Sequence, residues 1–182
     1  MLIFPTCVVE FEGQNQWNHA VEYLMEDWRT NKEDLNKTLC AATEAWFVLV
    51  FYEQLSFAEY VTRKKLEEQL YEVSDYAFRH FSHEGLFKLF FGYMMSSFPY
   101  WFSAPGKGEY EDAFLYNEQL GIDMCEQVYR SEPNNIIAKL FVLRWGDLSF
   151  FTKIAKQGKD ELDRLFPDGR GAVIDYFRLM LS

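Results

Sequence analysis

Cysteine and histidine are both scarce, three of each in 182 residues. Cys7, Cys40 and Cys125 are far apart in the chain, odd in number and each set among apolar neighbours. That pattern excludes a disulfide framework and a Cys-x-x-Cys metal or redox site, and it reads as reduced core thiols of a cytoplasmic protein. His80-Phe-Ser-His83 has helical i, i+3 spacing. Two imidazoles without a third, and without a carboxylate-x-x-His pair, do not make a metal site, so neither metal nor cofactor is expected. No uncharged apolar run approaches the roughly 20 residues that span a bilayer. Trp46–Tyr52 is only seven residues, and Leu86–Phe102 is broken by Lys88 and Pro99. The opening Met1-Leu2-Ile3-Phe4-Pro5 lacks the basic start of a secretory signal. Glycine patterns for phosphate or dinucleotide binding are missing, since Gly106-Lys107-Gly108 has neither the spacing nor the Ser/Thr of a P-loop. There is no Gly-x-Ser-x-Gly elbow and no His-Glu-x-x-His. The expectation is therefore a protein that is not an enzyme.

Basic residues are also short, with 18 Lys and Arg against 28 Asp and Glu, so the net charge is 18 − 28 = −10. That balance disfavours nucleic acid and anionic membrane as partners. The excess is uneven: residues 1–34 carry seven acids and two bases, and residues 109–132 carry seven acids and one base. Such a field suits a basic protein partner, and equally suits solubility alone.

What the chain has in plenty is aromatic surface, with 18 Phe, 11 Tyr and 5 Trp. That exceeds the needs of a small core, so some rings are expected at the surface. Apolar positions recur mostly at helical spacing. The predicted architecture is all-α, one domain over residues 1–182, of about six to eight helices packed as antiparallel hairpins. Residues 1–12 are β-prone and are expected to form an edge strand or extended arm. Helices follow on the stripes Trp17, Val21, Leu24, Met25, Trp28 and Leu35, Leu39, Ala42, Trp46, Leu49. The second is expected to open on a Thr30/Glu33 capping box. A third carries Leu66, Leu70, Val73, Ala77 and Phe81, and is expected to open on a Ser56/Glu59 box. A fourth is stopped by Pro99. Residues 98–109 hold four rings, two prolines and two glycines and are expected to be a loop. Asp147 is a candidate cap for a helix carrying Leu148, Phe151, Ile154 and Ala155, and Ala172–Leu181 closes the chain with Val173, Phe177 and Leu179 expected inward.

Tyr110–Leu148 reads as the central hairpin, two helices joined at Ser131-Glu132-Pro133-Asn134-Asn135. Ala113, Asn117, Leu120, Met124 and Val128 form a stripe, widened by Phe114, Gly121 and Cys125, and Leu115, Ile122 and Tyr129 add apolar surface further round, as expected of a central helix. Pro133 ends the first helix and suits the first turn of the next. An acidic arc of Glu109, Glu111, Asp112, Asp123 and Glu126 borders this helix. Acids near a helix N-terminus complement its dipole, which accounts for the first three and not for the last two. Glu118 projects between Leu115, Ile122 and Cys125, and reads as either a buried carboxylate or the rim of a contact surface. Tyr100, Trp101 and Phe102 in the loop read either as a lid on the core or as anchors of a protein interface, where Trp and Tyr are enriched.

Val128-Tyr-Arg-Ser-Glu-Pro-Asn-Asn-Ile-Ile-Ala138 resembles the inter-repeat turn of tetratricopeptide proteins. On that pattern Gly121 falls at a small-residue position. The helix that should precede it contains Ala104-Pro105-Gly106, so the resemblance implies one hairpin and not an array. At the level of class, a small acidic helical protein is similar to the bacterial immunity proteins that neutralise a toxin, often a nuclease. That likeness implies carboxylates presented to a basic cleft, with aromatic anchors slowing release. The alternatives left open are a tetratricopeptide-like adaptor or chaperone receiving a peptide in a groove, and an enzyme without a local signature.

Overall fold

A computed structural model describes residues 2–102, 110–143, 148–167 and 170–182, with only the backbone described at 110–112 and 148–151. The protein is all-α, and the described residues contain no strand. The helices are α1 (Thr6–Gly13), α2 (Trp17–Thr30), α3 (Leu35–Val50), α4 (Arg63–Phe81), α5 (Gly85–Ser97), α6 (Tyr110–Ser131), α7 (Ile136–Leu143), α8 (Leu148–Gln157), α9 (Lys159–Leu165) and α10 (Ala172–Leu181). A 3-10 turn, Pro99–Trp101, follows α5. Asp147, the expected cap of α8, and part of the 98–109 loop lie outside the described residues. The chain divides into two compact units.

The first unit comprises Met1–Ser82 with Pro167–Asp175. Here α1 packs on α2, α2 on α3 and α3 on α4. α3 is its core, since every residue from Thr38 to Leu49 is buried. The expected N-terminal arm is instead the helix α1. Its β-branched Val8-Val9 suggested a strand, but Val8 and Glu12, one turn apart, are its buried face, so packing overrides local propensity. Residues 2–5, ahead of it, belong to neither helix nor strand. Two expected capping boxes are also corrected. Thr30 is the last residue of α2, its hydroxyl donating to Asp27 O at 2.6 Å, and Asp34 caps α3 by accepting from the N–H groups of Asn36 (2.8 Å) and Lys37 (3.2 Å). Ser56 and Glu59 serve the start of α2: Trp17 Nε1 donates to Ser56 O at 3.0 Å, and Asn18 N donates to Glu59 Oε1 at 2.8 Å. α4 begins later, where Thr62 Oγ1 accepts from Lys65 N at 3.2 Å. An oxygen-bearing side chain near a helix start is a good signal for a cap, but spacing alone does not say which helix it caps.

The second unit comprises His83–Phe166 with Tyr176–Ser182. α5 is its most enclosed helix, burying Phe87, Leu89, Phe90, Phe91, Tyr93, Met94 and Met95. α6 lies against α5 and α7 against α6. The joint expected at 131–135 is there, but α7 starts at Ile136 with Asn135 as its cap, Ala138 N donating to Asn135 Oδ1 at 3.0 Å, and Pro133 stays in the turn. A cluster of Phe90, Tyr93, Phe141, Phe166 and Phe177 fills the core, with neighbouring rings mostly edge to face. That arrangement matches positive ring edges to negative faces.

All three cysteines are free; Cys40 and Cys125 are buried and Cys7 is partly exposed. Burial pushes the Cys40 thiol well above its ordinary value, with Glu44 adding to the effect. Since the thiolate is the nucleophile, maleimide should label Cys7 first and leave Cys40 and Cys125 unmodified until urea unfolds the chain. Mass spectrometry of the native protein checks this, and equal labelling of all three would contradict the burial.

Candidate functional site

α6 is placed by glycine. A Cβ on Gly121 would stand 2.6 Å from Gly92 O and 2.6 Å from Ser96 N, so the two helices meet backbone to backbone. The buried stripe of α6 is Asn117, Gly121, Met124, Cys125 and Val128. Its opposite side faces solvent and carries Leu115, Tyr116, Gln119, Asp123, Gln127 and Arg130. The helix is therefore a wall on α5 rather than the centre of the unit, and the apolar Leu115 points outward, 62% exposed.

Asn117 ties the aromatic turn to this helix. It is 1% exposed, and its Nδ2 donates to Pro99 O at 3.0 Å and to Phe102 O at 2.6 Å. The two carbonyls bracket the 3-10 turn, so one side chain satisfies both ends of a segment that has no helix of its own. Of the three rings expected to act together, Phe102 is buried with its ring 6.2 Å from that of Phe91, Trp101 is half-buried, and Tyr100 is 40% exposed. The turn is mostly a lid, and Tyr100 is its outward group.

The acidic arc divides in the same way. Asp123 is exposed and accepts from Gln119 Nε2 at 2.9 Å, while Glu126 pairs with Arg130 one turn on. Glu118 is half-buried, neither an enclosed carboxylate nor a fully solvated one. Glu111 and Asp112 stand in the first turn of α6, with side chains outside the described residues, and Glu109 lies outside them altogether. The face thus offers Leu115 and Tyr116 (41% exposed) at one end and carboxylates two turns further along.

Other features are less open to a partner. A groove of about 300 Å³ between α2 and α4 is lined by Glu22, Glu26, Arg29, Lys65, Glu68 and Glu72. Its walls largely neutralise themselves, because Glu22 pairs with Lys65 and Glu72 with Arg29, and both carboxyls are held below their usual range by those cations. His80 stacks on Tyr76, ring centroids 4.1 Å apart, and His83 stands 3.1 Å from Glu84. Among the described residues no group of three or more His, Cys, Asp or Glu side chains is placed to hold a metal ion. No helix among them is long and apolar enough to cross a membrane.

A buried acid pair in the first unit was missed by sequence reasoning. Glu44, in the middle of α3, is 0% exposed, and neither of its oxygens meets an N–H or O–H donor among the described residues. It faces the carboxyl of Glu12 on α1. The available signal was a lone glutamate within Leu39–Leu49, a stretch otherwise free of charge.

These residues define the class: an all-α protein of two helical units, with a mixed apolar and acidic outer face on one of them. No protein-family profile, curated protein or solved structure matches the chain.

Proposed function

We propose that the protein acts by binding and not by catalysis, as an inhibitor of the immunity-protein type that holds a basic protein, such as a nuclease toxin, against the outer face of α6. One observation carries this reading: Leu115 and Tyr116, large and exposed, stand at one end of a face of α6 whose next turns bear Asp123 and Glu126. Exposed aromatic and aliphatic groups supply anchors whose burial slows release. Carboxylates beside them raise the encounter rate with a cation-rich surface and reject an acidic one. Leu115 has no part in the core to explain it, and the Glu126–Arg130 pair, lying along the helix, leaves Asp123 as the freer charge.

Kinetics on one captured basic partner separate the two contributions. The double change Asp123→Lys, Glu126→Lys should lower the association rate about tenfold at low salt and flatten its salt dependence, with little change in fold stability. Leu115→Ala with Tyr100→Ala should leave association nearly unchanged and raise dissociation about tenfold, roughly 1.4 kcal/mol of binding. A partner that binds all these variants like the wild type uses another surface, and the reading falls.

A further inference from the structure

We propose that Glu12 and Glu44 share a single proton at neutral pH and form a proton-operated latch on the N-terminus of α10. The geometry assigns the two carboxyls different tasks. Glu12 Oε2 accepts the N–H of Ala172, the first residue of α10, at 2.7 Å. Gly171, immediately before it, adopts a left-handed φ of +111°, and a Cβ there would lie 3.1 Å from Glu12 Oε2. A helix N-terminus with a free N–H favours an anion, so Glu12 is the ionised member. Glu44 is enclosed by α3 and its neighbours and meets no donor other than what it can offer itself. A carboxylate there would be desolvated and unpaired, at a cost far above that of keeping the proton. Glu44 therefore holds the proton and donates it to the Glu12 carboxylate, satisfying both groups with one hydrogen bond. One neutral acid beside one anion is the stable state of two crowded carboxyls, because both cannot ionise at close range.

The groups acting on the pair point the same way. Burial raises Glu44 well above the usual carboxyl range, and Glu12 adds to that. Glu12 is itself raised, first by burial and further by Asp175 in the first turn of α10, while the Ala172 N–H and Glu44 pull it back. Cys40, one turn before Glu44 on α3, is a thiol that burial keeps neutral, so it brings no charge to the pair. No lysine, arginine or histidine stands among these influences, so among the described residues nothing offsets a second negative charge. When the shared proton leaves, two anions face each other in the core. The relief available is for Glu12 to swing out toward solvent, which takes its oxygen from Ala172 and releases the first turn of α10.

The sign follows from proton counting. Between the unfolded value of a glutamate, about 4.3, and the raised value in the fold, the native chain keeps a proton that the unfolded chain has released. Stability from this site is fully present below the lower value and falls as pH rises toward the higher one, by about tenfold in the folding equilibrium constant per pH unit for one proton. Glu44→Gln keeps a neutral group of the same shape, with an N–H to give Glu12, and removes the titration.

The test is urea unfolding of the full chain from pH 5 to pH 9, wild type against Glu44→Gln. The ratio of their folding constants should move by about tenfold per pH unit in favour of the variant until the shared proton is lost. Hydrogen exchange should show protection of the Ala172 amide falling with pH in the wild type and staying level in Glu44→Gln. Should the variant fold poorly, infrared spectroscopy decides on the wild type alone: a protonated-carboxyl band at pH 7 is expected. Parallel pH profiles, or no such band, overturn the shared proton. If magnesium or manganese stabilises the wild type at pH 7 while pH has no differential effect, the pair is a cation site and the latch is wrong.

Discussion

Gly121→Ala should destabilise the protein by about 2–3 kcal/mol, although alanine is the better helix former. Intrinsic propensity favours the change by roughly 1 kcal/mol in a helix interior. The contact opposes it more strongly. The new methyl would sit 2.6 Å from Gly92 O, 2.6 Å from Ser96 N and 3.0 Å from Met95 Cβ. Two of those atoms are backbone and cannot rotate away, so α6 must move off α5. Inserting a methyl into a packed interface typically costs 1–3 kcal/mol, and backbone neighbours put this site at the upper end. Gly92→Ala meets the mirror contact, its methyl 2.7 Å from Gly121 O and 2.7 Å from Cys125 Sγ. The Ser96 hydroxyl donates to Gly92 O at 2.7 Å within α5, so this polar group is satisfied inside its own helix and leaves the crossing to close packing. Both changes force apart the same contact, so the double variant should lose less than the sum of the singles. Chemical denaturation of the three variants checks both claims, and a loss below about 0.5 kcal/mol for each single change would mean the helices do not touch there. The consequence for binding is direct. Asn117 is one turn from Gly121 and holds the aromatic turn, so displacing α6 also displaces Tyr100, Leu115 and Tyr116 as a group.

Gly121 shows how far the sequence reaches. Its spacing from Pro133 marked it as a small-residue position, and it is one. Its partner Gly92 stood out in no pattern, since a glycine amid the apolar residues of α5 carries no sign of which helix will cross it. The helices themselves were legible because apolar spacing reports burial on one side, and the bounds of α10 were placed to the residue, but Leu179, expected inward with Val173 and Phe177, is 73% exposed. The N-terminal helix was not, because an eight-residue segment with paired valines supports a strand as well as a helix, and only its packing decides. The outer face was half legible. Asp123 and Glu126 were marked as solvent-facing acids; Leu115 was counted as part of the apolar surface of a central helix, though nothing covers it among the described residues. The aromatic loop misled in the other direction, because rings in a Pro-rich segment look available until Asn117 is seen to bind the carbonyls on both sides. Glu44 was invisible for a simpler reason. Pattern reading assigns a charged residue to the surface, and a carboxyl that keeps its proton is not charged.

Phe177→Ala should have the largest effect on the fold, a loss of about 3–5 kcal/mol. Phe177 is fully buried in the second unit, and four other rings lean on it: Phe90 at 5.0 Å between centroids, Tyr93 at 5.1 Å, Phe166 at 6.2 Å and Phe141 at 6.5 Å. Truncation removes the common neighbour of all four. Their rings are rigid and held by two other helices, α5 and α7, and by the turn after α9, so the space cannot close by small rotations, and the cavity remains as a cost beyond lost burial. The loss also reaches a polar contact. Tyr93 and Tyr176 share a hydrogen bond between hydroxyls, 2.7 Å apart, and Tyr93 needs Phe177 beside it to keep that register. A change of 3–5 kcal/mol in a chain of this length corresponds to a fall of roughly 6–20 °C in Tm. The control is on the same helix. Leu179 is two residues away and 73% exposed, so Leu179→Ala should shift stability by less than about 0.5 kcal/mol. Thermal and urea unfolding of the pair give the comparison. If Phe177→Ala and Leu179→Ala lose equal stability, α10 does not lie in the core with Phe177 inward. If Phe177→Leu recovers most of the loss, burial volume dominates; if it does not, the edge-to-face geometry of the aromatic cluster contributes beyond volume, about 0.5–1.5 kcal/mol for each ring pair.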